Sequence, residues 1–187
     1  MVLFIATVTL ILSSCDFEEG NNYDRPDAQT NDKSVASSTK DPLLIDILDL
    51  EKRMAADTAF NRTRALRLFK DYQDYYNKHP HDTVAGNYLF QAGDLAQKLG
   101  KQERAIELFI GFVEGFTASH RCDEAVYNVA YIYDARLGDK QQAKKYYNKV
   151  IELYPQSMWA HEAQGALRIL SMSDEELRKF LKEQNQQ

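Results

Sequence analysis

Two 25-residue segments of the chain align without a gap: AGDLAQKLGKQERAIELFIGFVEGF at residues 92–116 and AYIYDARLGDKQQAKKYYNKVIELY at residues 130–154. The offset is 38 residues, and the matching residues are small, apolar or aromatic and lie mostly three or four positions apart. That spacing is typical of one face of an α-helix, so the repeat predicts helices. The matched pairs are Ala92/Ala130, Leu95/Tyr133, Leu99/Leu137, Ala105/Ala143, Phe109/Tyr147, Phe112/Val150 and Phe116/Tyr154.

A glycine divides each segment into two parts. Gly100 and Gly138 follow Leu99 and Leu137, where a first helix must end. The residue after a helix often adopts the left-handed conformation, which glycine tolerates best. Each segment therefore predicts a helix, a tight turn and a second helix. The low content of glycine and proline, 8 and 4 residues, also favours helices over a turn-rich β-sandwich.

Further helices are predicted on both sides of these segments. An earlier, weaker unit is offset by about 37 residues, and its first helix is predicted to begin after Asp41, an N-cap followed by Pro42. Residues 157–170 predict one more helix, and residues 173–176 form a capping box that opens a last helix. In the weaker unit, Leu68, Tyr72, Tyr75 and His79 match Ala105, Phe109, Phe112 and Phe116.

The order of a small Ala, Leu-Gly, Ala, an aromatic residue and a closing Tyr-Pro resembles the tetratricopeptide repeat over about residues 42–182. The resemblance implies an all-α fold: a short right-handed α-α solenoid of about three helix pairs plus a C-terminal capping helix. Two features depart from the pattern. The units are 37 or 38 residues long instead of 34, and Thr117 replaces a closing Pro.

The N-terminal residues predict the compartment. Residues 2–12 are almost all apolar, too few for the ~20 residues of a membrane-spanning helix but suited to a secretory signal. Leu-Ser-Ser-Cys at residues 12–15 resembles the bacterial lipobox, which implies a signal peptide at residues 1–14 and a lipid anchor on Cys15. No Lys or Arg precedes the apolar run. An ordinary secretory signal with an incidental Cys is the alternative.

Residues 15–41 are predicted to be a disordered acidic tether that precedes a helical domain at residues 42–187. Residues 16–41 hold seven acidic and three basic residues and few apolar ones, too few to offset the entropy of ordering. Acids after the Cys resemble the export signals of Bacteroidota lipoproteins, or they simply keep the tether solvated. The whole arrangement resembles small repeat lipoproteins of Bacteroidota, which implies an outer-membrane location on the periplasmic or surface face.

The sequence offers little for catalysis. The four histidines form no metal-spaced pair with each other or with a Cys, and there is no phosphate loop, nucleophile elbow or evident carboxylate couple. We therefore predict no enzyme, no metal and no cofactor. The net charge of −5, with no basic face, argues against nucleic-acid binding. Cys122 is expected to be a semi-buried thiol, and Gly111 and Gly115 to permit close approach of helices.

The resemblance implies that ligands lie on the concave face built by the first helix of each pair. Tyr127 and Tyr131 are four residues apart, hence on one helical face, and suit a peptide or protein segment. Alternatively, neighbouring repeats and the cap cover them. The predicted function is a protein-binding scaffold or adaptor in an envelope complex; glycan or peptidoglycan binding that uses Trp159 is the alternative. The implied groove residues are Leu89, Gly93, Ala96, Gln97, Tyr127, Tyr131, Asp134 and Ala135.

Overall fold

The computed structural model describes residues 41–184, so the predictions for the signal peptide, Cys15 and most of the tether lie outside the described residues. Between residues 41 and 184 the chain forms eight α-helices and no strand, which confirms the all-α prediction. None of these helices is both long enough and apolar enough to cross a bilayer. The helices are α1 (Pro42–Ala55), α2 (Arg62–Lys78), α3 (Thr83–Lys98), α4 (Gln102–Gly115), α5 (Cys122–Tyr131), α6 (Lys140–Leu153), α7 (Met158–Ser171) and α8 (Asp174–Gln184).

The helices form three successive hairpins and a cap. Consecutive helices from α1 to α7 pack against each other, and α5 also packs against α7. The pairs α1/α2, α3/α4 and α5/α6 are therefore the three predicted units, and α7 covers the last one. The last helix, α8, has no buried residue, and the ring of Phe180 lies 5.3 Å from the Arg168 guanidinium of α7.

Local signals set the helix ends, as predicted. The Asp41 side chain accepts a hydrogen bond from the backbone of Leu43 at 3.0 Å and starts α1. Gly100 and Gly138 have φ of 80° and 69°, the left-handed values expected after a first helix. At α8, Ser173 accepts from the backbone N–H of Glu176, and the Glu176 carboxylate accepts from the N–H of Ser173, the reciprocal pair of a capping box.

The repeated apolar residues form the core. Phe90 of α3 packs edge-on against Phe109 and Phe112 of α4, with ring centroids 5.1 and 5.3 Å apart. One buried cluster extends from α1 to α5, and a second joins α5, α6 and α7. Burial of this face explains the spacing of three and four in the sequence, because only one side of each helix meets its neighbours.

The glycines that permit close helix packing are Gly86 and Gly93 of α3. A Cβ atom on Gly93 would lie 2.8 Å from the ring of Phe109, and one on Gly86 would lie 2.7 Å from the ring of Phe116. The prediction for Gly111 was wrong, because no atom lies within 4 Å of an added Cβ there. It was also wrong for Gly115, whose nearest neighbour, the Tyr76 hydroxyl, is 3.9 Å away. The rings of Phe109 in α4 and of Phe116 just after it pack against the glycines of α3. The glycines of α4 do not take part in that contact.

Candidate binding surface

A cleft of about 210 Å³ lies between α1 and α3, with α2 beneath it. We call it the α1–α3 cleft. It is smaller than the roughly 300–1,000 Å³ of typical small-molecule sites, so its size suits one long side chain. Its lining residues are Glu51 and Met54 of α1, Leu68 and Tyr72 of α2, and Gln91, Asp94, Leu95 and Lys98 of α3.

Tyr72 is the polar centre of this cleft. Its ring is buried and stacks on Tyr88 with centroids 4.9 Å apart. Its hydroxyl donates to Glu51 Oε1 at 2.7 Å and lies 2.8 Å from Gln91 Oε1. Burial, reinforced by Glu51, raises the pKa of Tyr72 far above its usual value, so the hydroxyl keeps its proton. Because the hydroxyl has a single hydrogen, it cannot donate fully to both Glu51 and Gln91.

Asp94 is the unusual acid of the cleft. Its side chain is half-buried, and within residues 41–184 it has no hydrogen bond or ion pair. Burial raises its pKa to about 6; Arg121 and Lys98 oppose the rise, and Glu124 adds to it. A carboxylate that is partly removed from water without a partner is costly, and strongly shifted acids in clefts are candidates for function.

The implied groove positions on α3 were wrong for Leu89 and Gly93. Leu89 is only 4% exposed and Gly93 is covered by the ring of Phe109, so neither can contact a partner. Ala96 is also buried, and Gln97 is half-buried outside the cleft lining. The resemblance therefore placed the groove on the wrong side of α3. The open side of this helix carries Gln91. Successive residues are rotated by about 100° around the helix axis, so most of the predicted positions lie on the buried side.

On α5, the two predicted tyrosines differ. Tyr127 is half-buried, and its ring centroid lies 5.6 Å from that of Tyr147 and 4.8 Å from that of Trp159. Tyr131 remains 36% exposed, with the Arg136 guanidinium 5.8 Å from its ring centre. Neighbouring helices therefore cover Tyr127 but leave Tyr131 accessible.

Asp134 lies in a π-helical segment, Ile132–Leu137, that continues α5 as far as Gly138. Its carboxylate accepts a hydrogen bond from the buried Tyr147 hydroxyl at 3.3 Å. A π turn is wider than an α turn and shifts the residues that follow it around the helix axis. Asp134 is half-buried, whereas Ala96, its match in the previous unit, is completely buried. Ala135, the last groove position implied on this helix, is exposed.

The accessible part of the third unit is therefore an aromatic face with acids around it. Burial raises the pKa of Tyr127, and Glu162, Tyr131 and Asp134 add to the rise, so these groups lie close enough to interact. We call Tyr127, Tyr131, Asp134, Trp159 and Glu162 the α5–α7 aromatic face.

Sequence reasoning missed the α1–α3 cleft. One signal was present: Gln91, Asp94 and Lys98 recur at spacings of three and four in a helix whose other residues are mostly buried. Polar residues in that pattern predict an open face on an otherwise enclosed helix. Glu51 and Tyr72 carried no comparable signal, because acids are frequent on α1 and aromatic residues are frequent on α2.

Two other candidate groups, His79 and Cys122, contact neighbouring residues of the fold. His79 Nε2 lies 2.9 Å from Asp41 Oδ2, which also accepts from Lys78 at 2.8 Å. These two contacts hold the pKa of Asp41 at about 2 and join the start of α1 to the end of α2. Cys122 is fully buried with Sγ 3.2 Å from the carbonyl oxygen of Phe116. Among residues 41–184, no three His, Cys, Asp or Glu side chains are grouped as metal ligands would be.

A family model and a solved structure are similar to parts of this chain. The family model of the tetratricopeptide repeat matches residues 124–157, which include most of α5 and all of α6. A solved tetratricopeptide repeat protein from Parabacteroides merdae is similar at 18% identity and a TM-score of 0.45, over 74% of this chain. The chain spans only 57% of that protein's length. No curated protein matches the sequence. The family model therefore shows one tetratricopeptide repeat at residues 124–157, within an all-α array of hairpins.

Proposed function

We propose that the protein is a membrane-anchored adaptor of the bacterial cell envelope, which binds a protein partner and catalyses no reaction. Tetratricopeptide repeats generally mediate protein–protein interactions, which supports the adaptor part of the proposal. The lipobox-like residues 12–15 support an anchor on Cys15, and the acidic residues that follow support a tether to the outer membrane.

The observation that carries the binding proposal is the α5–α7 aromatic face. Tyr131 is more than a third exposed beside the half-buried rings of Tyr127 and Trp159. Tyrosine and tryptophan are the side chains most enriched at the energetic centres of protein interfaces. A packed ring pair beside an accessible ring offers apolar contact at a small cost in side-chain entropy, with hydroxyl groups for hydrogen bonds.

Glycan binding is the weaker alternative. A sugar would stack on the open face of an indole, and the chain has a single Trp. Trp159 is half-buried, and Tyr127 lies against it with ring centroids 4.8 Å apart. That contact reduces the ring area available for stacking, so the arrangement favours a protein segment over a sugar polymer.

The test is affinity purification of the intact protein from its native envelope. Tyr131→Ala removes an accessible ring without opening the core, and Leu66→Ala on α2 is the matched control because Leu66 is 40% exposed on a second helix. We expect a stoichiometric protein partner that Tyr131→Ala weakens and Leu66→Ala does not. Cys15→Ser should move the protein from the membrane to the soluble fraction.

Two results would contradict the proposal. Recovery of no protein partner from the solubilised envelope would exclude the adaptor function. Retention of Cys15→Ser in the membrane fraction, with no lipid detected on the wild-type chain by mass spectrometry, would exclude the anchor and leave the binding function to be judged separately.

A further inference from the structure

We propose that the α1–α3 cleft binds an arginine or lysine side chain of a protein segment, so that the partner is basic where it meets the first half of the solenoid. This inference rests on the proposed adaptor function and adds the chemistry of the partner. It concerns a different surface from the α5–α7 aromatic face, so the two can be tested independently.

The cleft matches the two parts of a long basic side chain. Met54, Leu68 and Leu95 supply apolar surface from three different helices. Arginine and lysine lay their methylene stems along such surface while the charged head group stays at a polar site. The polar site is supplied by carboxylates on two helices, Glu51 on α1 and Asp94 on α3.

These carboxylates have unused hydrogen-bonding capacity. Glu51 accepts from Tyr72 through Oε1 alone, and Asp94 accepts from no group in the described part of the chain. Arg121, the guanidinium that acts on Asp94, is already engaged: its Nε donates to Glu124 at 3.0 Å, and its guanidinium carbon lies 3.5 Å from the ring centre of Phe90. Among the described residues, a cationic ligand would therefore meet one carboxylate with no hydrogen-bond donor, Asp94, and one, Glu51, with a single donor on one oxygen.

Lys98 is the one cation among the residues that line the cleft, and it bears on which charge the ligand carries. Its side chain is exposed, and within residues 41–184 it forms no ion pair. An acidic ligand would have to bind Lys98 against the repulsion of Glu51 and Asp94, whereas a basic ligand meets two attractive groups and one repulsive group. Arginine should bind more tightly than lysine, because its planar group can donate to two carboxylates at once.

The probe is the peptide acetyl-Ala-Ala-Arg-Ala-Ala-amide, titrated into the full-length ¹⁵N-labelled chain and followed by amide chemical shifts. A peptide with norleucine in place of arginine keeps the stem and removes the charge. We expect the arginine peptide to shift the amides of Gln91 and Asp94, and the norleucine peptide to leave them unchanged. We expect Asp94→Asn and Glu51→Gln each to weaken the arginine peptide at least ~5-fold, and Lys98→Gln to strengthen it.

Asp49→Asn is the control, because it removes the same charge from the same helix as Glu51 but lies outside the cleft lining. We expect it to leave binding unchanged. The inference is overturned if both peptides give the same shifts, or if Asp49→Asn weakens binding as much as Asp94→Asn does. Circular dichroism should show that each variant keeps its helix content, which excludes loss of fold as the cause of weaker binding.

The outcomes separate this inference from the proposed function. A partner that depends on Tyr131, together with no binding of the arginine peptide, would overturn only the basic-ligand inference. An arginine peptide that binds in the cleft, together with no partner in the envelope, would support the chemistry of the cleft and overturn the adaptor role.

Discussion

The first and third hairpins contain the same kind of hydrogen bond, from a tyrosine hydroxyl to an acid, but its surroundings differ between the two. Tyr72 and Tyr147 occupy matching positions on their second helices, and each hydroxyl donates to an acid of the preceding helical segment. The distance is 2.7 Å to Glu51 in the first hairpin and 3.3 Å to Asp134 in the third. In the second hairpin the matching residue is Phe109, which packs against Gly93 with no polar group.

The difference between the two hairpins lies in the helix that follows each of them. After the first hairpin, α3 presents Gln91 and Asp94 to the tyrosine and leaves an open polar cleft. After the third, α7 places Trp159 against Tyr127, whose ring also lies 5.6 Å from that of Tyr147. One repeated frame can therefore hold a polar cleft or an aromatic face, and a few side chains on the first helices decide which one forms.

The largest expected effect comes from disturbing the apolar second hairpin. In Gly93→Ala the new Cβ would lie 2.8 Å from the fully buried ring of Phe109. Overpacking of this kind costs about 1–3 kcal/mol, and we expect the upper end because the ring has no free space. Gly111→Ala is the matched control: it meets no atom within 4 Å and should stabilise by about 0.5–1 kcal/mol. Urea unfolding measures both, and equal effects would contradict the assigned packing.

The second prediction tests the shared tyrosine interaction directly. Tyr72→Phe removes a 2.7 Å hydrogen bond to a carboxylate from a buried ring. Hydrogen bonds to charged groups contribute about 1.5–3 kcal/mol, and we expect the lower end because Glu51 can turn toward water. Tyr147→Phe breaks a longer bond of 3.3 Å and should cost less, about 1 kcal/mol or below. A larger loss of unfolding free energy for Tyr147→Phe would reverse the comparison.

The third prediction concerns the pH dependence of Asp94, whose pKa rises from 3.8 to about 6 on folding. Between these values the folded protein holds a proton that the unfolded chain has released, so this group makes stability rise as the pH falls through 6. Asp94→Asn removes the cost of the buried charge. Allowing for partial exposure to solvent, it should stabilise the protein by roughly 1–2 kcal/mol at pH 7.5.

That advantage should shrink below pH 6 and vanish below the unfolded value of 3.8, where both states are protonated. The measurement is urea unfolding of the wild type and Asp94→Asn across this range. A difference that is independent of pH would show that Asp94 carries no raised pKa. Asp41 also contributes to the pH dependence at the acid end, because its pKa is lowered from 3.8 to about 2. The ionised Asp41 stabilises the fold above pH 3.8, and this stabilisation is lost as the pH falls from 3.8 towards 2.

The smallest expected effect on stability is that of Tyr131→Ala on the aromatic face. Tyr131 is exposed and its removal opens no cavity, so the change in unfolding free energy should be within about 0.5 kcal/mol. Tyr127→Ala should cost more, since its ring contacts Tyr147 and Trp159. Thermal unfolding of the two variants measures the contrast. Equal losses would mean that Tyr131 is packed rather than accessible.

Much of the fold could be predicted from the sequence, because the relevant signals are local. The N-cap at Asp41, the turn at Gly100 and the capping box at Ser173 each depend on residues within four positions of one another. The repeat spacing then predicted which faces are buried. The candidate site was predicted only in part: Tyr131 and Asp134 lie on an accessible face, while Leu89 and Gly93 are core residues.

The sequence by itself therefore determined the number of helices, their ends and the pairing of neighbours, since these depend on caps, turns and periodicity within each hairpin. Only the tertiary structure decided which side chains share a cleft. Tyr72 meets Glu51 across 21 residues and Gln91 across 19, and Tyr147 meets Asp134 across 13. Such contacts depend on how each helix is rotated against its neighbours. A shift of one residue turns a side chain by about 100° around the helix axis, which is enough to exchange an open position for a buried one.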